Sequence, residues 1–126
     1  MVNKILVDTS VLIGLQRGDG EIVELFRKVQ SEVVVSRITV CEFVYGSRDR
    51  REKKINQDFL LRLKILEVDE KISISAYELI DKYGLKVKFG IADALIAASA
   101  LENKLRLWTE NKKHFKGIRG LKLFGV

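Results

Sequence analysis

Lys4-Ile5-Leu6-Val7-Asp8-Thr9-Ser10 is the stretch on which the fold turns. A short apolar run ends abruptly at three residues whose side-chain oxygens can accept the orphan N–H groups of a helix's first turn. This reads as a buried strand passing directly into a helix, and a strand that is apolar on both faces suits the interior of a parallel sheet. Outward from this stretch the alternation repeats. Val11–Gln16 reads as helix and is broken by Arg17-Gly18-Asp19-Gly20. Glu21–Gln30 spaces Ile22, Leu25, Phe26 and Val29 at helical intervals. Glu32–Val35 is a second, β-branched strand, and Ser36 caps a helix over Arg37–Ser47 with Ile38, Cys41, Val44 and Tyr45 on one side. Arg50–Leu63 is a charged amphipathic helix and Ile65–Val68 a third strand. Glu70–Tyr83 is a helix that stops at Gly84, and Ile91–Asn103 is a helix that follows Gly90. Leu105–Trp108 is a fourth strand, and Leu121–Phe124 is the candidate for a fifth. The expected fold is α/β, with a mainly parallel central sheet of four to five strands flanked by helices.

The chain's 126 residues are one domain's worth, expected to span 1–126. Apolar residues make up 47% and charged residues 32%, the balance of a globular protein rather than a disordered one. No apolar stretch approaches the roughly 20 residues that cross a bilayer. No basic start followed by an apolar core and a small-residue cleavage site is visible, so the expected location is cytoplasmic, without a membrane. One cysteine excludes an internal disulfide and a cysteine-based zinc cage; one histidine excludes chemistry that needs a histidine pair. The formal charge of +6 suits a negatively charged partner, nucleic acid being the commonest, or serves solubility alone.

In parallel sheets, ligands bind beyond the carboxyl ends of the strands, which directs attention to Asp8, Ser36, Asp69 and Thr109. Asp8 closes the first strand, either as a helix cap or as a carboxylate that rigid backbone holds ready for a metal. Glu42 interrupts the apolar stretch Thr39-Val40-Cys41-Glu42-Phe43-Val44-Tyr45, so it lies on a narrow polar stripe or is drawn inward. Asp93 is the only charge in 90–100. The helix dipole favours an acid there, and Ala97 and Ala100 share its face, aiming it inward or along an edge beside the first strand. Asn111 follows the fourth strand and alone reads as a turn residue. His114 reads as a helix or turn residue beside Phe115, and Cys41 as a small core residue. Three carboxylates gathered within about 4 Å repel by roughly 4 kcal/mol per pair at an effective dielectric near 20. A hard divalent cation resolves that repulsion, and oxygen-only ligands suit Mg2+ or Mn2+ better than zinc.

Four segments carry a family resemblance: Ile5-Leu6-Val7-Asp8-Thr9-Ser10-Val11-Leu12-Ile13, Ile38-Thr39-Val40-Cys41-Glu42-Phe43-Val44-Tyr45-Gly46, Ile91-Ala92-Asp93-Ala94-Leu95-Ile96-Ala97-Ala98 and Thr109-Glu110-Asn111-Lys112-Lys113-His114-Phe115. In this order they resemble the signature blocks of PIN-domain ribonucleases, and the compact form is similar to the VapC-type toxins of prokaryotic toxin–antitoxin pairs. The resemblance implies a Mg2+- or Mn2+-dependent endoribonuclease, a homodimer, an RNA substrate and a cognate antitoxin. It sets Asp8, Glu42 and Asp93 in the places of the family's acids, as catalytic residues and metal ligands. Asn111 takes the fourth catalytic place, where many members have Asp; this departure bears on a second metal site. Arg48, Arg50 and Arg51, then Lys86 and Lys88, then Lys112 and Lys113 flank these blocks, as phosphate-tracking cations would. The apolar residues of Val11–Leu15 and Glu21–Gln30 are expected to furnish partner surface as well as core. A haloacid-dehalogenase-type phosphatase would need a second Asp two residues after Asp8, where this chain has Ser10. A non-catalytic RNA-binding or RNA-processing module of the same fold is the alternative reading.

Overall fold

A computed structural model describes residues 4–86 and 89–125. The first strand, β1 (Ile5–Val7), is followed by α1 (Thr9–Gln16) and α2 (Gly20–Val29). A 3-10 turn (Gln30–Glu32) leads to β2 (Val33–Ser36), α3 (Arg37–Tyr45) and α4 (Arg50–Leu60). Then come β3 (Lys64–Leu66), α5 (Glu70–Tyr83), α6 (Ile91–Glu102), β4 (Arg106–Trp108) and α7 (Lys112–Phe115). The strands form one parallel sheet in the order β3-β2-β1-β4, in which Leu6 aligns with Val34 on one side and Leu107 on the other. All three β1 residues are fully buried, as a strand paired on both edges and covered on both faces must be.

The alternation of side chains across the pleat divides the core in two. Leu6, Val34 and Leu107 point to the layer of α5 and α6, where they meet Ile72, Ile96, Ala97 and Phe115. Ile5, Val7, Val33, Val35 and Trp108 point the other way, onto Leu12 of α1, Phe26 of α2, Phe43 of α3 and Leu60 of α4. The four buried alanines of α6 give that helix a low profile against its neighbours. Asp8, Asp19, Ser36, Asp49 and Asp69 each accept a backbone N–H at a helix start. Three of them, Asp8, Ser36 and Asp69, lie at the strand-to-helix junctions along the sheet's carboxyl edge.

Three expectations change. The fifth strand reduces to a single parallel bridge between Leu107 and Leu123, because Gly120 and Gly125, both at positive φ, turn the chain on either side. Cys41 is exposed rather than in the core. Tyr45, expected on the packed side of α3, is 93% exposed. The buried face of α3 is centred on Thr39 and Phe43, one turn apart, so positions 41, 42 and 45 face outward. The apolar residues of α1 and α2 divide: Val11, Leu12, Ile22 and Phe26 are buried, while Ile13, Leu15, Leu25 and Val29 stay partly exposed. The large exposed apolar side chains include Tyr45, Leu61, Tyr77, Leu85 and Ile91. Among the described residues no helix is long and apolar enough to cross a membrane.

Candidate active site

Asp8 lies one residue past the end of β1, where its backbone N–H still donates to the Trp108 carbonyl of β4 at 2.8 Å. That ladder bond holds the carboxylate at the sheet's carboxyl edge, with the residue only 4% exposed. Three donors converge on it. The Thr9 N–H donates to Oδ1 at 2.8 Å, and the hydroxyls of Thr109 and Ser10 donate to Oδ2 at 2.7 and 3.0 Å. Those two hydroxyls are fixed in turn. The Asn111 N–H donates to Thr109 Oγ1 at 2.9 Å, and the Glu110 N–H donates to Ser10 Oγ at 3.0 Å. The loop after β4 is thereby tied to Asp8 through two hydroxyl groups.

Burial pushes the Asp8 carboxyl above the usual carboxylate range; the bonds from Thr109, Ser10 and Thr9 pull it back, and the negative charge of Asp93 pushes it up again. Asp8 and Asp93 therefore feel each other electrostatically. Asp93 sits in the first turn of α6, after a Gly90 N-cap that offers no side chain. Its side chain is 23% exposed, and its Oδ2 lies 3.1 Å from His114 Nδ1 of α7.

Glu42 is exposed on the outer side of α3 and accepts the Thr9 hydroxyl on Oε1 at 2.5 Å. Of the two readings of Glu42 in the sequence, this is the polar stripe. Thr9 thus bridges the two acids, its N–H serving Asp8 and its hydroxyl serving Glu42. Asn111 is exposed, just before α7, and its side chain caps nothing there. It lines a cleft of about 600 Å3 with Ser10, Arg17, Asp19 and Glu110.

Two kinds of residue escaped the sequence reading. His114 was read as an ordinary turn residue, because nothing in a lone histidine announces a partner 21 positions earlier. Thr109 was noted only as a strand end, and its bond to Asp8 spans 101 positions. Lys88, one of the expected phosphate-tracking cations, lies outside the described residues.

The donor set is carboxylate and hydroxyl oxygen, with His114 the one nitrogen at its margin. This chemistry, and a buried carboxylate facing a second negative charge, fit a hard divalent cation. Among the described residues, no three His, Cys, Asp or Glu side chains are grouped tightly enough to hold a metal by themselves. Glu42 is engaged by Thr9 and Asp93 by His114, so any cation here would take water for much of its coordination.

Comparison with known proteins bears on the same segments. A family model described as "PIN domain" matches residues 5–121. Ribonuclease VapC1 of Methanocaldococcus jannaschii is 34% identical, over 97% of this chain and 88% of that protein. The DNA-bound VapBC complex of Salmonella typhimurium contains a chain that superposes with a TM-score of 0.82 at 26% identity, covering 98% of this chain and 97% of that one. A toxin–antitoxin complex from Klebsiella pneumoniae gives 0.80 at 28% identity, covering 94% and 95%.

Proposed function

The chain belongs to the PIN domain family, and from that premise we propose that it is a divalent-metal-dependent endoribonuclease acting in the cytoplasm as the toxin of a toxin–antitoxin pair. The observation that carries the chemistry is the buried Asp8. It is held by three donors, bridged through Thr9 to Glu42 and set electrostatically against Asp93. Near-full-length likeness to a VapC ribonuclease supports the substrate class, and likeness to chains from toxin–antitoxin complexes supports the biological role.

In this reading Asp8 and Asp93 hold Mg2+ or Mn2+. When bound, the cation supplies Lewis-acid stabilisation of charge developing on the phosphate and acidifies nearby water. Glu42 completes the acidic pocket and orients the attacking water. Thr109, Ser10 and Thr9 keep Asp8 in one rotamer, so the carboxylate needs no reorganisation as the reaction proceeds. His114 steadies Asp93 in the same way. Asn111 positions a phosphate oxygen or water by hydrogen bonding and adds no charge. A cognate antitoxin and a second copy of the chain are the expected partners. The groove of about 520 Å3 lined by Leu12, Leu15, Phe43, Ile55 and Phe59, with Arg48 and Arg51 among its lining residues, suits an amphipathic partner helix.

The test is cleavage of RNA by the purified chain, with EDTA and after restoring Mg2+ or Mn2+. Metal-dependent endonucleolytic products are expected, and Asp8→Asn or Asp93→Asn should lower the rate at least about 100-fold. Cleavage that persists in EDTA, or near-normal cleavage by either variant, overturns the reading.

A further inference from the structure

The opposite, amino edge of the sheet carries a cleft of about 740 Å3 that the chemistry above leaves unused. It opens where β1, β2 and β3 begin. Five cations line it, Lys4, Arg27, Lys28, Arg62 and Lys64, and no acidic side chain does. Elsewhere on the surface Arg37 is paired with Glu67, Arg48 with Glu52 and Lys54 with Asp58. Of the five in the cleft, only Arg27 meets an acid among the described residues, Glu24 at 3.9 Å, in a pair exposed on both sides.

Helix dipoles explain part of this charge. Arg27 and Lys28 occupy the last turn of α2, where a cation is favoured, and Arg62 follows the end of α4. Lys4 and Lys64 stand at strand starts, outside the last turn of any helix, so helix ends do not account for them. The cleft is also lined by neutral hydrogen-bonding groups, Gln30 and Ser31, and by Phe59 and the buried Phe26, whose ring centroids are 6.2 Å apart. Unmatched cations with aromatic and amide groups between them suit a phosphate–sugar backbone better than an acidic peptide.

We propose that this cleft is a second phosphate-binding site, remote from the scissile bond, that holds the backbone of the RNA substrate; the inference rests on the ribonuclease reading. Lys4 and Asp8 are four residues apart along one extended strand, about 13 Å at ~3.3 Å per residue. One RNA reaches both edges only if it is several nucleotides long or folded. A very short substrate engages the acids alone.

The experiment compares wild type with Lys28→Gln/Arg62→Gln/Lys64→Gln, all exposed positions, after circular dichroism shows equal folding. Cleavage of a two-nucleotide RNA and of a 30-nucleotide RNA is followed, and binding of the longer RNA is measured on an Asp8→Asn background over a range of salt. The triple variant should raise KM for the long RNA at least about 10-fold, leave its kcat and the short RNA's kinetics unchanged, and lower the salt slope by about 2. An unchanged KM and slope overturns the proposal while leaving the ribonuclease reading standing. Loss of poly-glutamate binding without loss of RNA binding overturns it in favour of an acidic protein segment. Failure of wild type to cleave either RNA with metal present is the separate failure of the ribonuclease reading.

Discussion

Asp8 shows how a candidate functional residue is carried at the expense of stability. Its native carboxyl is raised, by burial first and by Asp93, against the pull of the Thr109, Ser10 and Thr9 donors, so folding favours the protonated form relative to the unfolded chain. The contribution to stability is then fully present below the unfolded carboxylate's value and is lost as pH rises through the native value. An Asn at position 8 can still accept the Thr9 N–H and can donate to both hydroxyls. In EDTA at pH 7, Asp8→Asn is therefore expected to melt above wild type, with the gap closing as pH falls toward 4. Added Mg2+ should raise the melting temperature of wild type and not that of the variant. A metal-free wild type that melts above Asp8→Asn at pH 7 would contradict this account. Thr109→Val removes the 2.7 Å donor from a buried carboxylate, at a cost of about 1–3 kcal/mol, and should slow cleavage about 10- to 100-fold. Asn111→Ala should cost one hydrogen bond, about 5- to 30-fold in rate. A loss as deep as that of Asp8→Asn would promote Asn111 to the rank of the acids. The acids were legible in the sequence because a carboxylate in an apolar run is conspicuous. Thr109 and His114 were not, since a hydroxyl or an imidazole acting through a distant residue leaves no local pattern.

At the level of elements, the strands were read most securely where burial is complete. β1 and β2 are continuous apolar runs because both faces are covered, and only their ends moved by a residue. Helix α3 was harder. It is apolar almost all round, so its sequence gives little hint of which side is packed; its neighbours α1, α4 and α6 decide that. The expected fifth strand failed because Gly120 and Gly125 turn the chain on either side of Leu121–Phe124, which leaves room for a single bridge to β4. The corrected orientation of α3 is open to measurement. Cys41 should react with Ellman's reagent in the native protein at close to the rate of a free thiol, and protection until unfolding would turn the helix back toward the earlier reading. On the buried side, Phe43→Ala should destabilise by about 3–5 kcal/mol in a denaturant titration.

For the whole molecule, the parallel order β3-β2-β1-β4 makes the two edges of the sheet unlike, acids at the carboxyl edge and unmatched cations at the amino edge. The alternation of strand and helix made the carboxyl edge legible, because it says where such sheets bind ligands. The cationic edge was not, because its five residues come from three separate segments, one or two at a time, and form no run. If the chain acts as a toxin, its induced expression should arrest growth and that of Asp8→Asn should not, at equal protein levels; arrest by both would detach the effect from cleavage. The pairing of β1 with β4 adds a consequence in time. Ile5 is made well before its partner Arg106. A growing chain on the ribosome holds β1 with one side open, and Asp8 without its Thr109 donor, until β4 and the residue after it have been made. In the ribonuclease reading, a copy still lacking β4 is thus unarmed, and the later segment is the one that arms the earlier.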